Sequence, residues 1–142
     1  MMILGVGVDL VDVQRVGRLI SSPGFVGRFF HPQEAEYATT KKAGYEESLA
    51  ACLAAKEAFG KALGTGLKGF QLKEIEVTHD ASGRPFLRLH GRAAETFKRF
   101  GGSRIHLSLS HERSLACGFV LIEGEGKDTT DVEDPNGRGI GE

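Results

Sequence analysis

Two carboxylates stand beside residues too small to block a ligand. Asp9 follows Gly5 and Gly7 at alternate positions, and Glu57 shares a helical flank with Ala50, Ala54 and Lys61. A hard cation such as Mg²⁺ is held by one or two protein carboxylates, with water and substrate phosphate oxygens filling the remaining positions, so this pair suffices for such a site. The residues also fit plainer roles, Asp9 as the end of a strand and Glu57 as the i,i+4 partner of Lys61. Gly64-Thr65-Gly66 comes one turn after Lys61 and leaves room for a phosphate near an ammonium group. It reads equally as a glycine stop and a turn, and because a helix C-terminus repels anions, Lys61 would have to supply the attraction. Ser108, Ser110 and His111 end a segment in which serines alternate with leucines. Adjacent strand residues face opposite ways, so Ser110 and His111 make a poor nucleophile and base but suitable donors to a phosphate. No spacing among His31, His79, His90 and His106 resembles a zinc site.

The elements that must position these groups are readable from periodicity. Residues 2 to 10 alternate as a strand, with Val6, Val8 and Leu10 on one face and Gly5, Gly7 and Asp9 on the other. Asp12 is placed to cap a helix over 13–20, on which Arg15 and Arg18 lie on one side. A second helix starts at Pro32 and runs to about Thr39. The longest spans about 46–63 and stops at Gly64. Its apolar stripe contains Leu49, Cys52, Leu53, Phe59 and Leu63, and Lys56 projects into that stripe. Segments 74–79 and 85–89 form a hairpin through the turn Asp80-Ala-Ser-Gly83. A helix over 93–100 closes at Gly101-Gly102. A half-buried strand over 105–110 and a more fully buried one over 115–122 follow. Meandering strands with segregated helices give the α+β class, with antiparallel pairing rather than a doubly wound parallel sheet.

The chain has 142 residues, 40% hydrophobic and 26% charged, which fits one small domain with a real core. The formal charge of −1 divides unevenly: residues 124–142 carry −4 and residues 1–123 carry +3. We expect the domain to occupy residues 1–123, followed by an acidic, Gly-rich flexible tail over 124–142 with almost nothing apolar to bury. The opening MMILGVGVDL lacks a basic n-region and Asp9 interrupts its apolar run, so neither a signal peptide nor a membrane span is expected and the cytoplasm is the expected location. Cys52 and Cys117 lie far apart inside apolar segments and read as reduced, buried thiols. Near-neutral charge and the lack of an aromatic-interleaved basic stretch argue against nucleic-acid binding.

Four segments in one order carry a resemblance. They are Gly5-Val-Gly-Val-Asp-Leu-Val-Asp-Val-Gln-Arg15, Ala54-Ala-Lys-Glu-Ala-Phe-Gly-Lys-Ala-Leu-Gly-Thr-Gly66, Gly83-Arg-Pro85 and Leu107-Ser-Leu-Ser-His111. Over nearly the whole chain up to Ile122 the sequence resembles the acyl-carrier-protein synthase branch of the 4'-phosphopantetheinyl transferases. The resemblance implies transfer of phosphopantetheine from coenzyme A to a serine of an apo acyl carrier protein, with release of adenosine 3',5'-bisphosphate, in support of fatty acid biosynthesis. It implies Asp9 and Glu57 as Mg²⁺ ligands and Lys61 as the catalytic group that neutralises phosphate charge. It places Lys61, Gly64, Arg84, Pro85, Ser110 and His111 along the coenzyme A cleft and Lys56 near the reacting groups. Arg15, Arg18 and Arg28 become a docking patch for an acidic carrier, and a homotrimer with clefts shared between neighbours is expected. Cys52 and Leu53 stand where the family commonly has an arginine and an aromatic, and the acidic tail is unusual for it.

Two rival readings make different demands. A non-catalytic nucleotide-binding module would use Lys61 and the Gly-Thr-Gly turn but need no metal, and a small thioesterase would release a thiol from an acyl-CoA.

Overall fold

The computed structural model describes residues 1–41 and 44–125; the expected tail beyond residue 125 lies outside the described residues. The order of elements is β1 (Met2–Asp12), α1 (Val13–Ile20), α2 (Phe25–Phe29), α3 (Pro32–Thr39), α4 (Tyr45–Leu63), a 3-10 turn (Leu72–Glu74), β2 (Ile75–His79), β3 (Pro85–Leu89), α5 (Gly91–Arg99), β4 (Gly102–Glu112) and β5 (Leu115–Gly124). β1, β5 and β4 form an antiparallel sheet in that order, and β2 pairs with β3 as a separate hairpin. The α+β architecture expected from the sequence is the one observed. None of the described helices is long and apolar enough to cross a membrane.

Local chemistry sets the boundaries. Asp12 ends β1 by capping α1, its Oδ1 accepting from the Gln14 and Arg15 amides at 2.9 and 3.3 Å. Pro32 opens α3, where the His31 ring accepts from the Gln33 amide and the Glu34 carboxylate reaches back to the His31 amide. α4 has Glu46 and Glu47 in its first turn and Lys61 in its last, which suits the helix dipole, and it stops at Gly64 with φ 79°.

The short helix α2 and the 3-10 turn have no counterpart in the sequence reading. Five residues with a phenylalanine at either end, and three residues before a strand, are too few to show a period.

α4 lies across one face of the three-stranded sheet, closer than side chains would normally permit. A Cβ built on Gly5 or Gly7 would fall on the carbonyl oxygen of Ala62 or Ala58, and one on Gly118 would sit 2.6 Å from the Ala54 carbonyl carbon. Gly118, Gly7 and Gly5 thus receive Ala54, Ala58 and Ala62, an i,i+4 row of small residues on the helix. The glycine and aspartate face of β1 is therefore the one turned to the helix, whereas Val6, Val8 and Leu10 stay 52%, 52% and 63% exposed.

The same geometry corrects the expectation for 115–122. β5 is central in the sheet, but only its helix-facing side is buried. Val120 and Ile122 are covered, while Leu115 and Phe119 face outward beside the exposed β1 residues.

Lys56 also departs from expectation. Its side chain does not approach the candidate catalytic carboxylates; it is fully buried, and its Nζ donates to Glu34 Oε1 at 2.7 Å, Leu72 O at 2.9 Å and Ile75 O at 2.6 Å. Glu34 is equally buried and accepts in addition from the amides of His31 and Val77. Burial pushes the Lys56 ammonium below its usual pKa, and the Glu34 carboxylate opposes that shift. The apolar stripe interrupted by Lys56 is thus the wall of a polar bolt joining α3, α4 and β2.

Replacing Lys56 with alanine leaves Glu34 charged and unpaired in the interior, a loss on the order of 3–5 kcal/mol. Urea unfolding of Lys56→Ala should show a midpoint far below that of the native protein, while the paired change to Lys56→Met with Glu34→Leu should recover much of it.

Candidate active site

The close seating of α4 on β1 brings the two candidate carboxylates into one neighbourhood. Asp9 lies on the helix-facing side of β1, with a side chain 19% exposed, and its Oδ1 accepts from Lys61 Nζ at 3.0 Å. The same ammonium donates to the Val8 carbonyl at 3.0 Å, so Lys61 is anchored to the strand by two bonds and still keeps 57% of its side chain exposed. Glu57 projects from α4 one turn before Lys61. Its carboxyl is raised above the usual pKa, chiefly by partial burial and then by the negative charge of Asp9; Lys61 and Arg15 pull the other way.

Partial burial and the charge of Asp9 both disfavour the ionised form of Glu57, and a bound cation would offset them. The donors are oxygens only, and both carboxylates are half-buried rather than sealed from solvent, a combination suited to a hard ion such as Mg²⁺ that keeps water and phosphate in its shell. Arg15, expected from the sequence only as part of a docking patch, is close enough to act on Glu57 electrostatically. Its signal was available in retrospect: Asp12 caps α1, so the first turn that carries Arg15 begins directly beyond the strand that carries Asp9.

Gly64 and Gly66 follow with φ of 79° and 71°, and neither would meet a heavy atom within 4 Å of an added Cβ. The Gly66 amide donates to the Gly60 carbonyl, which folds the Gly-Thr-Gly turn back over the helix end near Lys61. The open space lies where the sequence puts a phosphate.

The remaining candidate residues sit elsewhere on the same subunit. Ser110 is in register with Cys117 and, through it, with Leu10, on the sheet face turned away from α4. Ser110 and His111 border a 390 Å³ cavity with Leu10, Leu115 and Cys117.

Arg84 precedes β3 and Pro85 begins it, and both line a 240 Å³ cavity with Phe86, Arg104 and His106. The Asp80 carboxylate presents them: it accepts from the Ser82 and Arg84 amides at 2.9 Å and from the Ser82 hydroxyl at 2.7 Å, which holds it below its usual pKa. Arg104 and His106 belong to a strand distant in sequence, and no local pattern announces their proximity to Arg84.

The chain therefore gathers Asp9, Glu57, Lys61 and Arg15 at the α4–β1 contact but borders the Arg84–Pro85 and Ser110–His111 cavities with other residues. Arg15, Arg18 and Arg28 are all exposed.

Comparison with known proteins places the chain in a family. The family model of the 4'-phosphopantetheinyl transferase superfamily matches residues 5–120. A holo-[acyl-carrier-protein] synthase from Treponema denticola is 51% identical over 123 residues, covering 87% of this chain and all of the relative. Among solved structures, the holo-[acyl-carrier-protein] synthase from Neisseria meningitidis superposes with a TM-score of 0.79 at 35% identity, over 86% of this chain and 99% of that one. The coenzyme A complex from Chronobacterium ammoniagenes gives a TM-score of 0.76 at 33% identity, over 88% and 99%. With the family model, the sequence relatives and the fold in agreement, the chain belongs to the 4'-phosphopantetheinyl transferase superfamily, as an enzyme of its holo-[acyl-carrier-protein] synthase branch.

Proposed function

We propose that this enzyme moves 4'-phosphopantetheine from coenzyme A to a serine hydroxyl of an apo acyl carrier protein, in a Mg²⁺-dependent reaction that releases adenosine 3',5'-bisphosphate. The observation that carries the proposal is the meeting of Asp9, Glu57 and Lys61 where α4 crosses β1, in a chain 51% identical to a holo-[acyl-carrier-protein] synthase. The serine oxygen forms a bond to the β-phosphorus of coenzyme A while the bond from that phosphorus to the bridging oxygen breaks, and the bisphosphate departs with the electron pair.

Asp9 and Glu57 would hold the cation, which would supply neutralisation of charge on the pyrophosphate oxygens. Lys61, fixed by its bonds to Asp9 and the Val8 carbonyl, presents an ammonium to the same phosphates. A water held against Asp9 or Glu57 would take the serine proton. Gly64 leaves space for the phosphates, and Arg84, Pro85, Ser110 and His111 border the remainder of the nucleotide and pantetheine path. The exposed Arg15, Arg18 and Arg28 form a basic approach for an acidic carrier, raising the encounter rate and making it salt-sensitive. Fatty acid biosynthesis in the cytoplasm is the role that fits this substrate pair.

The proposal includes a homotrimer in which neighbouring subunits complete each cleft. Two observations support it. The outward sheet face exposes Val6, Val8, Leu10, Leu115 and Phe119 together, more apolar surface than a strand face ordinarily leaves in water. The residues expected along the coenzyme A path also fall on separate parts of one subunit, with Ser110 on that same outward face.

Two experiments test the reading. Intact-mass spectrometry of an apo acyl carrier protein incubated with coenzyme A, Mg²⁺ and the enzyme should show the mass gain of one phosphopantetheine. That gain should disappear with EDTA and fall at least about 100-fold in rate with Asp9→Ala, a loss on the order of 3 kcal/mol of transition-state stabilisation; no gain with several competent carriers would refute the activity. Light scattering coupled to size exclusion should give a mass near three subunits for the native protein and a smaller species for Val8→Asp, with turnover lost alongside. A fully active native monomer would refute the shared cleft.

A further inference from the structure

Away from the α4–β1 contact, three side chains from three parts of the chain converge. His31 precedes α3, Glu76 is in β2 and His90 precedes α5, and each offers a ligand atom within 4.8 Å of the other two. The two imidazoles stack with ring centroids 5.1 Å apart and an interplanar angle of 15°. Glu76 is only 5% exposed at its side chain, yet its carboxylate is poorly satisfied. Oε1 meets His90 Nε2 at 2.8 Å, and among the described residues Oε2 accepts no hydrogen bond. A buried anionic oxygen without a donor is costly, and it calls for a partner.

The nearest polar atom cannot be that partner. Oε2 faces His31 Nδ1 at 3.8 Å, but Nδ1 accepts from the Gln33 amide at 3.1 Å and so carries no proton in the capping arrangement. Two acceptors therefore face each other across a gap, with a third ring nitrogen alongside. A cation placed among them would turn that conflict into coordination. Two imidazole nitrogens and one carboxylate oxygen are the donors that borderline-soft divalent ions take, at about 2.0–2.2 Å from the metal.

We propose that His31, Glu76 and His90 form a site for a divalent cation of the zinc class, fastening the start of α3 to the β2–β3 hairpin and to the start of α5. Coordination by both histidines requires the rings to turn out of their stacked arrangement, and the 27% and 39% exposure of their side chains leaves room for that turn, a route for the ion and a fourth position for water. Binding takes the Nδ1 lone pair from Gln33, while the other half of the capping box, His31 N–H to Glu34 Oε1 at 2.8 Å, is kept. The site differs in kind from the Asp9–Glu57 pair, which offers oxygen alone. Linear histidine spacing shows no zinc pattern because the ligands come from three separate elements.

Cobalt(II) titration of an Asp9→Asn variant tests the assignment with the oxygen site weakened. We expect equimolar Co²⁺ binding with the intense visible absorption of a low-coordinate nitrogen-ligated ion, displaced by Zn²⁺, and a higher melting temperature with either metal. Adding His90→Gln, or separately His31→Asn, which keeps a helix-capping side chain, should abolish the absorption and the metal-dependent stabilisation, with circular dichroism confirming that the variants fold. Absence of the Co²⁺ absorption in Asp9→Asn, or its persistence in a folded variant lacking either histidine, would overturn the site.

Discussion

An ammonium and a carboxylate sealed from water fix the rotation and depth of α4, and much else follows from that. Lys56 can satisfy its three donors only with its side chain directed at Glu34 and at the carbonyls of Leu72 and Ile75. The next residue on the helix is Glu57, about 100° further around the axis. Fixing Lys56 on the interior side therefore turns Glu57 toward the sheet edge where Asp9 waits. One helix carries a buried charge pair for cohesion and, a residue later, a half-buried carboxylate facing Asp9.

The two charged sites on α4 show how environment assigns roles to the same functional groups. At Lys56 the lysine is enclosed, fully bonded and pushed toward lower basicity by burial. At Lys61 the ammonium holds Asp9 and a backbone carbonyl while more than half of its side chain remains accessible. The first arrangement has nothing left to offer a substrate. The second couples a fixed position to free donor capacity, which is what phosphate recognition demands.

Much of this was legible in the residues because it depended on local pattern. Asp12 as a cap, Pro32 at a helix start, Gly64 at a helix stop and the alternation of Gly5, Gly7 and Asp9 each act within a few positions, and the elements they imply are present. Asp9, Glu57 and Lys61 were identifiable by type and by the small residues around them. What escaped was decided by contacts between segments. Lys56 looked like a misfit because its partner Glu34 is 22 residues earlier in a different helix. The continuous apolar run of β5 signalled burial on both faces, yet Leu115 and Phe119 face outward in the subunit.

The seating of α4 on the sheet also limits how the sequence can vary. A side chain added at Gly5 or Gly7 collides with peptide carbonyls of the helix rather than with a neighbouring side chain. Shrinking a residue on the opposite element relieves a clash between side chains, but no substitution removes a backbone oxygen. Compensating second-site mutations are thus closed to these two positions, and the only geometric relief is to lift α4 away from β1. That displacement would carry Glu57 and Lys61 with it, so drift at two glycines is tied to the position of the candidate site's side chains on the facing helix.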